Sequence, residues 1–210
     1  MIYDVVLRAS VVAMLAVSCT VRCADASRPL LELTFGRGLL NTGTLGGEAV
    51  IEESAVGEGP VLGTSQRGTC LHQLRTSRPG GPGRTPAGGA VVFPGDGLND
   101  LPRVTVVLWF RPEGTNRIAR LMYFSNQWDI FVSGGRIGFN TRHGGKDQHR
   151  SSPGELSPIR DGQWNAVAVA HDREKGIATL YHAALGTPLT KVAEWTDIPV
   201  PDSGVGPLRS

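Results

Sequence analysis

Wherever the apolar residues of this chain form a pattern, they recur at every second position. Leu31, Leu33 and Phe35 fall on one side of an extended segment, with Glu32 and Thr34 on the other. Val104, Val106, Leu108 and Phe110 alternate with Thr105, Val107, Trp109 and Arg111. Trp128, Ile130 and Val132 repeat the pattern, followed by Gly134-Gly135 and then Ile137 to Phe139. That succession predicts a hairpin closed by a tight glycine turn. Residues 164–171 and 177–182 predict a second pair, joined through Asp172-Arg173-Glu174-Lys175-Gly176, and residues 192–196 a last strand. Successive side chains of a strand point to opposite faces, so a period of two marks a strand with one face buried. No window sustains a helical period. The expectation is an all-β chain.

Two stretches lack alternation. Residues 66–89 are rich in Gly, Pro, Arg, Ser and Thr and read as a long loop. Their arginines, Arg67, Arg75, Arg78 and Arg84, read as a solvated basic surface, because no aromatic residues interleave with the charges. Residues 142–163 form a second irregular stretch that holds His143 and His149. The 28 glycines and 14 prolines fit many strands joined by turns. A net charge of +2, with both signs scattered, gives no electrostatic case for a nucleic-acid partner.

The first 26 residues read as a secretory signal. Residues 9–21 are an uncharged run of the length of an apolar h-region, and Ala24-Asp25-Ala26 supplies a small-x-small cleavage pattern. The run is too short to cross about 30 Å of hydrocarbon, so no integral membrane span is expected in the mature chain. Cys19 and Cys23 lie in this segment, which leaves Cys70 alone and excludes an internal disulfide of the mature chain. Lipid attachment at Cys19 is the alternative to simple secretion; both place residues 27–210 outside the cytoplasm or at the cell surface.

Three segments, in order, resemble a known family. Gly88-Gly89-Ala90-Val91-Val92-Phe93-Pro94-Gly95 is similar to an opening "G-x-A-l-x-F-x-G" strand. Val104-Thr105-Val106-Val107-Leu108-Trp109-Phe110 is similar to "F-T-V-S-x-W-V". Residues 162–172, GQWNAVAVAHD, followed by Ala178-Thr179-Leu180-Tyr181, are similar to "G-x-W-h-h-V-A-x-t-x-D…a-x-L-Y". Together they resemble the laminin G-like domains of the concanavalin A-like lectin and glucanase superfamily, over roughly residues 30–200. The resemblance implies one two-sheet antiparallel jelly-roll sandwich. Trp109 and Trp164, inside alternating strands, are expected to fill the space between its sheets. Residues 182–186, HAALG, replace the family's short Asn-Gly or Asp-Gly turn, so a longer turn is expected there. The closing "l-x-I-G" and "G-x-I-D" strands are missing: the sequence ends at Pro207-Leu208-Arg209-Ser210, where the first of them would begin. A fragment of a larger surface protein is therefore one reading of the chain.

Candidate chemistry is sparse. Glucanases of this superfamily carry an E-x-D-x-x-E strand whose carboxylates line one face, and no Glu here starts that pattern. Asp172 and Glu174 fall in a predicted hairpin turn beside Arg173 and Lys175, and His143 and His149 are too few to make a metal site. The expected role is thus a non-catalytic module that binds a glycan or an extracellular protein, with a glycoside hydrolase of displaced carboxylates as the alternative. The candidate ligand site is Asn126, Trp128 and Asp129 with Arg142 and His143, because a sugar face needs an exposed ring beside amide and carboxylate groups; Trp195 is second. No cofactor is required. Asp96, Asn99 and Asp100 offer hard oxygen ligands in a glycine-bearing turn, a candidate calcium site whose alternative is an ordinary Asx turn.

Overall fold

A computed structural model describes residues 2–6, 29, 31–33, 39–45, 47–52, 61–65, 68–74, 90–93, 98, 100–112, 119–124, 127–156, 158–202 and 208–209. Alternation does what it predicts in strand β6, Arg103–Arg111, where Val106, Leu108 and Phe110 are buried and their neighbours are half-buried. Around it a first sheet runs in the order β13 (Thr190–Trp195), β12 (Ile177–Ala184), β11 (Asn165–Asp172), β6, β1 (Ile2–Val6), β4 (Gly68–Leu74) and β3 (Val61–Ser65). The second sheet runs β10 (Lys146–Ser151), β9 (Arg136–His143), β8 (Trp128–Ser133), β7 (Ala119–Phe124), β14 (Leu208–Arg209), β5 (Ala90–Phe93) and β2 (Val50–Glu52). All neighbouring strands are antiparallel. The fold is the expected two-sheet antiparallel sandwich, and the described residues contain no helix.

One apolar cluster lies between the sheets. Leu108, Phe110, Val167, Val169 and Leu180 come from the first, and Phe93, Met122, Phe124, Ile130 and Phe139 from the second. Leu31 and Leu33 join this core from a segment that, among the described residues, is part of no strand; Phe35 lies outside the described residues. The hairpin of β8 and β9 turns on Gly134 and Gly135, both at positive φ (56° and 71°), the left-handed pair that matches strand twist. Residues 185–189 form the longer connection expected between β12 and β13.

Several expectations are corrected. Residues 142–163 are not wholly irregular: a second Gly-Gly turn, Gly144 and Gly145 at φ 57° and 72°, folds β10 onto β9. The stretch 66–89 contains a whole strand, since Gly68–Leu74 pairs with β3 and β1; residues 66–67 and 75–89 lie outside the described residues. Trp109 does not fill the gap between sheets, because Leu108 and Phe110 take the core side of β6 and leave Trp109 on the other face. Trp164 is buried, but under Arg111 and outside the central cluster.

At the two ends of the sequence the backbone is paired. Ile2–Val6, the start of the segment read as an export signal, lies in register between β4 and β6. Residues 7–28, with Cys19 and the Ala24-Asp25-Ala26 pattern, lie outside the described residues. Leu208–Arg209, where a closing strand was expected to begin, already pairs with both β5 and β7.

Candidate functional site

Strand pairing sets a row of polar residues across the face of the second sheet that looks away from the core. Trp128, Ile130 and Val132 of β8 point into the core, so Asp129 and Phe131 point out. Asp129 is paired with Tyr123 of β7 on one side and Asn140 of β9 on the other. Asn140 is paired in turn with His149 of β10. The four side chains therefore share one face at the spacing of directly opposed residues, about 5 Å between Cβ atoms. A bulge makes this possible. Leu121 is the extra residue of β7, so Leu121 and Met122 both turn inward, while Arg120 and Tyr123 both stay on the outer face.

The centre of the row is buried and incompletely bonded. Asp129 is 3% exposed and Asn140 6%. Arg120 Nε donates to Asp129 Oδ2 at 2.8 Å, and its guanidinium also lies 4.7 Å from the Tyr123 ring centroid. Asp129 Oδ1 and Asn140 Oδ1, in contrast, are buried and meet no donor. Leaving a buried polar atom without a partner costs about 1–3 kcal/mol, and folds keep few of them. Burial pushes the Asp129 carboxyl above the usual carboxylate range; Arg120 opposes that shift and the Asp147 carboxylate adds to it. Beside the pair, the Phe131 ring lies over Gly138, where a Cβ would sit 2.1 Å from ring carbon, and meets the His149 ring edge-on at 5.8 Å.

The expected site residues are divided by this geometry. Asp129 lies at the centre of the row. Arg142 follows Asn140 by two on β9, so it takes the same outer face, half-buried and paired with Asp147. Trp128 turns the other way: it is 8% exposed, tilted against Phe124 at 5.7 Å within the core. The expectation of an exposed ring at Trp128 is corrected, because the period of two that buries Ile130 buries Trp128 with it. Asn126 lies outside the described residues. Trp195, the second choice, stacks on Phe139 at 6.3 Å and packs against the core.

His143 serves a different structure. Its Nδ1 lies 2.8 Å from the carbonyl oxygen of Val200, part of a strap of residues 196–202 that runs from the β11–β12 turn, where Ile198 N–H donates to Gly176 O, to β9, where Asp202 N–H donates to Arg142 O. Asp202 on that strap accepts hydrogen bonds from the amides of Gly145 and Gly144, which hold its carboxyl below the usual range. Arg173 donates to the Pro201 carbonyl at 2.9 Å and to Asp100 at 2.7 Å. Asp100, expected as a calcium ligand, is thus bound to a guanidinium; Asp96 and Asn99 lie outside the described residues. Among the described residues no three His, Cys, Asp or Glu side chains gather where they could hold a metal ion.

Under the strap, Leu98, Val104, Met122, Phe124, Trp128 and Arg173 line a small cleft of about 20 Å³, room for about one water. His171 Nε2 lines it as well, buried and without a partner. The cleft is too small for a sugar ring. The outer-face row is the stronger site.

No protein-family profile and no curated protein matches the chain. Among solved structures it is similar to the mouse laminin alpha1 chain, domains LG4-5, at 18% identity with a TM-score of 0.42, over 57% of this chain and 31% of that one. It is also similar to the catalytic domain of the glycoside hydrolase family 131 protein from Coprinopsis cinerea, at 20% identity with a TM-score of 0.31, over 51% of this chain and 48% of that one. The chain spans less than half the length of either neighbour.

Proposed function

We propose that the chain is a non-catalytic recognition module of an exported or surface protein, binding a glycan or an extracellular protein at the Asp129–Asn140 row. The observation that carries this reading is the pair of adjacent buried oxygens, Asp129 Oδ1 and Asn140 Oδ1, with no donor. Both are acceptors, so a ligand that brings hydrogen-bond donors recovers the cost of burying them. The exposed His149 flanks them on one side and the half-buried Tyr123, under the Arg120 guanidinium, on the other. Hydrolysis of a glycosidic bond requires two carboxylates flanking it. The carboxylate that Asp129 senses is Asp147, exposed on the edge strand β10, which is a poor match to that demand.

The test is binding of the purified chain to a glycan array and to a panel of extracellular-matrix proteins, with Asn140→Ala as the control. The reading expects at least one ligand whose binding falls about tenfold or more in the variant. Binding unchanged in Asn140→Ala removes the site, and metal-independent hydrolysis of a β-glucan panel, lost in Asp129→Asn, replaces binding with catalysis.

A further inference from the structure

His171 lies near the end of β11 on the face that carries Val167 and Val169 into the core, and its ring meets Phe139 of the second sheet edge-on at 5.5 Å. The residue is 4% exposed, and Nε2 is buried with no partner. A ring nitrogen brings a hydrogen-bonding group into an apolar setting, and leaving it unbonded costs stability.

Unlike the oxygens of the outer row, this nitrogen has a space beside it. His171 lines the cleft of about 20 Å³ under the strap, and one water needs about 10–15 Å³. Gln127 and Arg173 are the other polar side chains of the lining, and Pro201 belongs to it from the strap. A buried water requires two to four polar groups around it, and these residues carry them.

Other occupants fit this cleft less well. A metal ion needs three or four ligands, and among the described residues no three His, Cys, Asp or Glu side chains gather to hold one. An anion beside Arg173 would compete with Asp100, which already holds that guanidinium at 2.7 Å. A hydrocarbon group would leave Nε2 unbonded. Burial, reinforced by the Arg173 charge, lowers the His171 pKa to about 4, so the ring is neutral in ordinary buffers. A water both donates and accepts, and so serves either tautomer of that ring.

We infer that the cleft is a site for one ordered water, bonded to His171 Nε2 and enclosed between β11 and the strap. The inference is independent of the Asp129–Asn140 row. It gives the buried imidazole its missing partner and makes the water part of the sandwich edge that residues 196–202 cover.

The experiment is NMR detection of water contacts in the full chain at neutral pH. Cross-peaks from water to the Met122 and Val106 methyl groups are expected, with the opposite NOE and ROE signs of a water held in place. No Ser, Thr or Tyr side chain lines the cleft among the described residues to relay such signals. In His171→Phe, which keeps a ring and removes both nitrogens, the cross-peaks are expected to be lost; amide dispersion checks that this variant is folded. A crystal structure that shows ordered waters is the second readout, independent of the variant, and density within hydrogen-bond distance of Nε2 is expected. Missing cross-peaks and missing density in the unmodified chain overturn the inference. So do cross-peaks that persist in folded His171→Phe, which would mean a water held without the imidazole. His171 ring signals that shift with chloride concentration would place an anion in the cleft and overturn it equally.

Discussion

Asp129 and Asn140 face each other across β8 and β9, and each buries a side-chain oxygen that no donor reaches. Both sit on the side of the sheet turned away from the core, where an apolar or fully solvated residue would carry no such cost. Each such defect costs the fold, and the proposed ligand is what would recover that cost.

Trp128→Ala is expected to act on stability and not selectively on ligand binding. The ring is part of the apolar cluster between the sheets, so its removal leaves a cavity and costs about 3–5 kcal/mol. Chemical denaturation measures this directly. A variant with unchanged stability and lost binding would restore Trp128 as a ligand platform.

Gly138→Ala is expected to displace Phe131. The added Cβ falls 2.1–2.6 Å from three carbons of that ring, against a limit of 3.0 Å below which something must shift. The expected destabilisation is about 1–3 kcal/mol. Combined with Phe131→Ala, which empties the space, the same substitution is expected to cost far less. A double-mutant cycle showing additivity would contradict this contact.

Acid is expected to destabilise the fold through His171. Burial lowers its pKa from 6.5 to about 4, with the Arg173 charge adding to the shift. The unfolded chain binds the proton more readily, so this contribution is complete above pH 6.5 and is lost as pH falls toward 4, at about 1.4 kcal/mol per pH unit. His182, also lowered by burial and bonded to Asn165 Oδ1 at 2.9 Å, acts in the same direction. Denaturation midpoints between pH 7 and 4 should fall, and His171→Gln should flatten the fall. A flat profile in the unmodified chain would show that neither imidazole is held neutral.

Gly176→Ala is expected to loosen the strap. Gly176 has φ 65°, and a Cβ there would lie 2.8 Å from the Ile198 carbonyl oxygen, while Ile198 N–H donates to Gly176 O at 2.9 Å. Faster hydrogen exchange at Ile198 and Asp202 is the expected reading. Unchanged exchange would mean that the strap is fixed without this turn.

Much of this fold is legible in the sequence where one face is apolar and the other is not. The strands of β6, β8, β9, β11 and β12 show it, and so do their glycine turns. β7 is hidden because its bulge puts Leu121 and Met122 side by side on the core face and breaks the period. β10 is hidden because an edge strand reading Lys-Asp-Gln-His-Arg-Ser has no apolar face to betray it. Those two strands carry Arg120, Tyr123 and His149, so the site was visible from the sequence only at Asp129 and Arg142. Trp109 and Trp128 take the faces opposite to those expected, for a related reason. Period two says that Trp109 and Trp128 lie on a face, but only strand partners say which face meets the other sheet.

The most direct test of the central claim is the stability of Asp129→Asn at neutral pH. A neutral amide of the same size removes the buried charge, and the exposed Arg120 returns to water at little cost. Because the fold holds the Asp129 carboxyl above its ordinary range, the ionised group opposes folding at pH 7. The expected melting temperature equals that of the unmodified chain or exceeds it by up to a few degrees. A clear drop in melting temperature would show that Asp129 is a structural ion-pair partner of Arg120, and would contradict its assignment as a group held ready for a ligand.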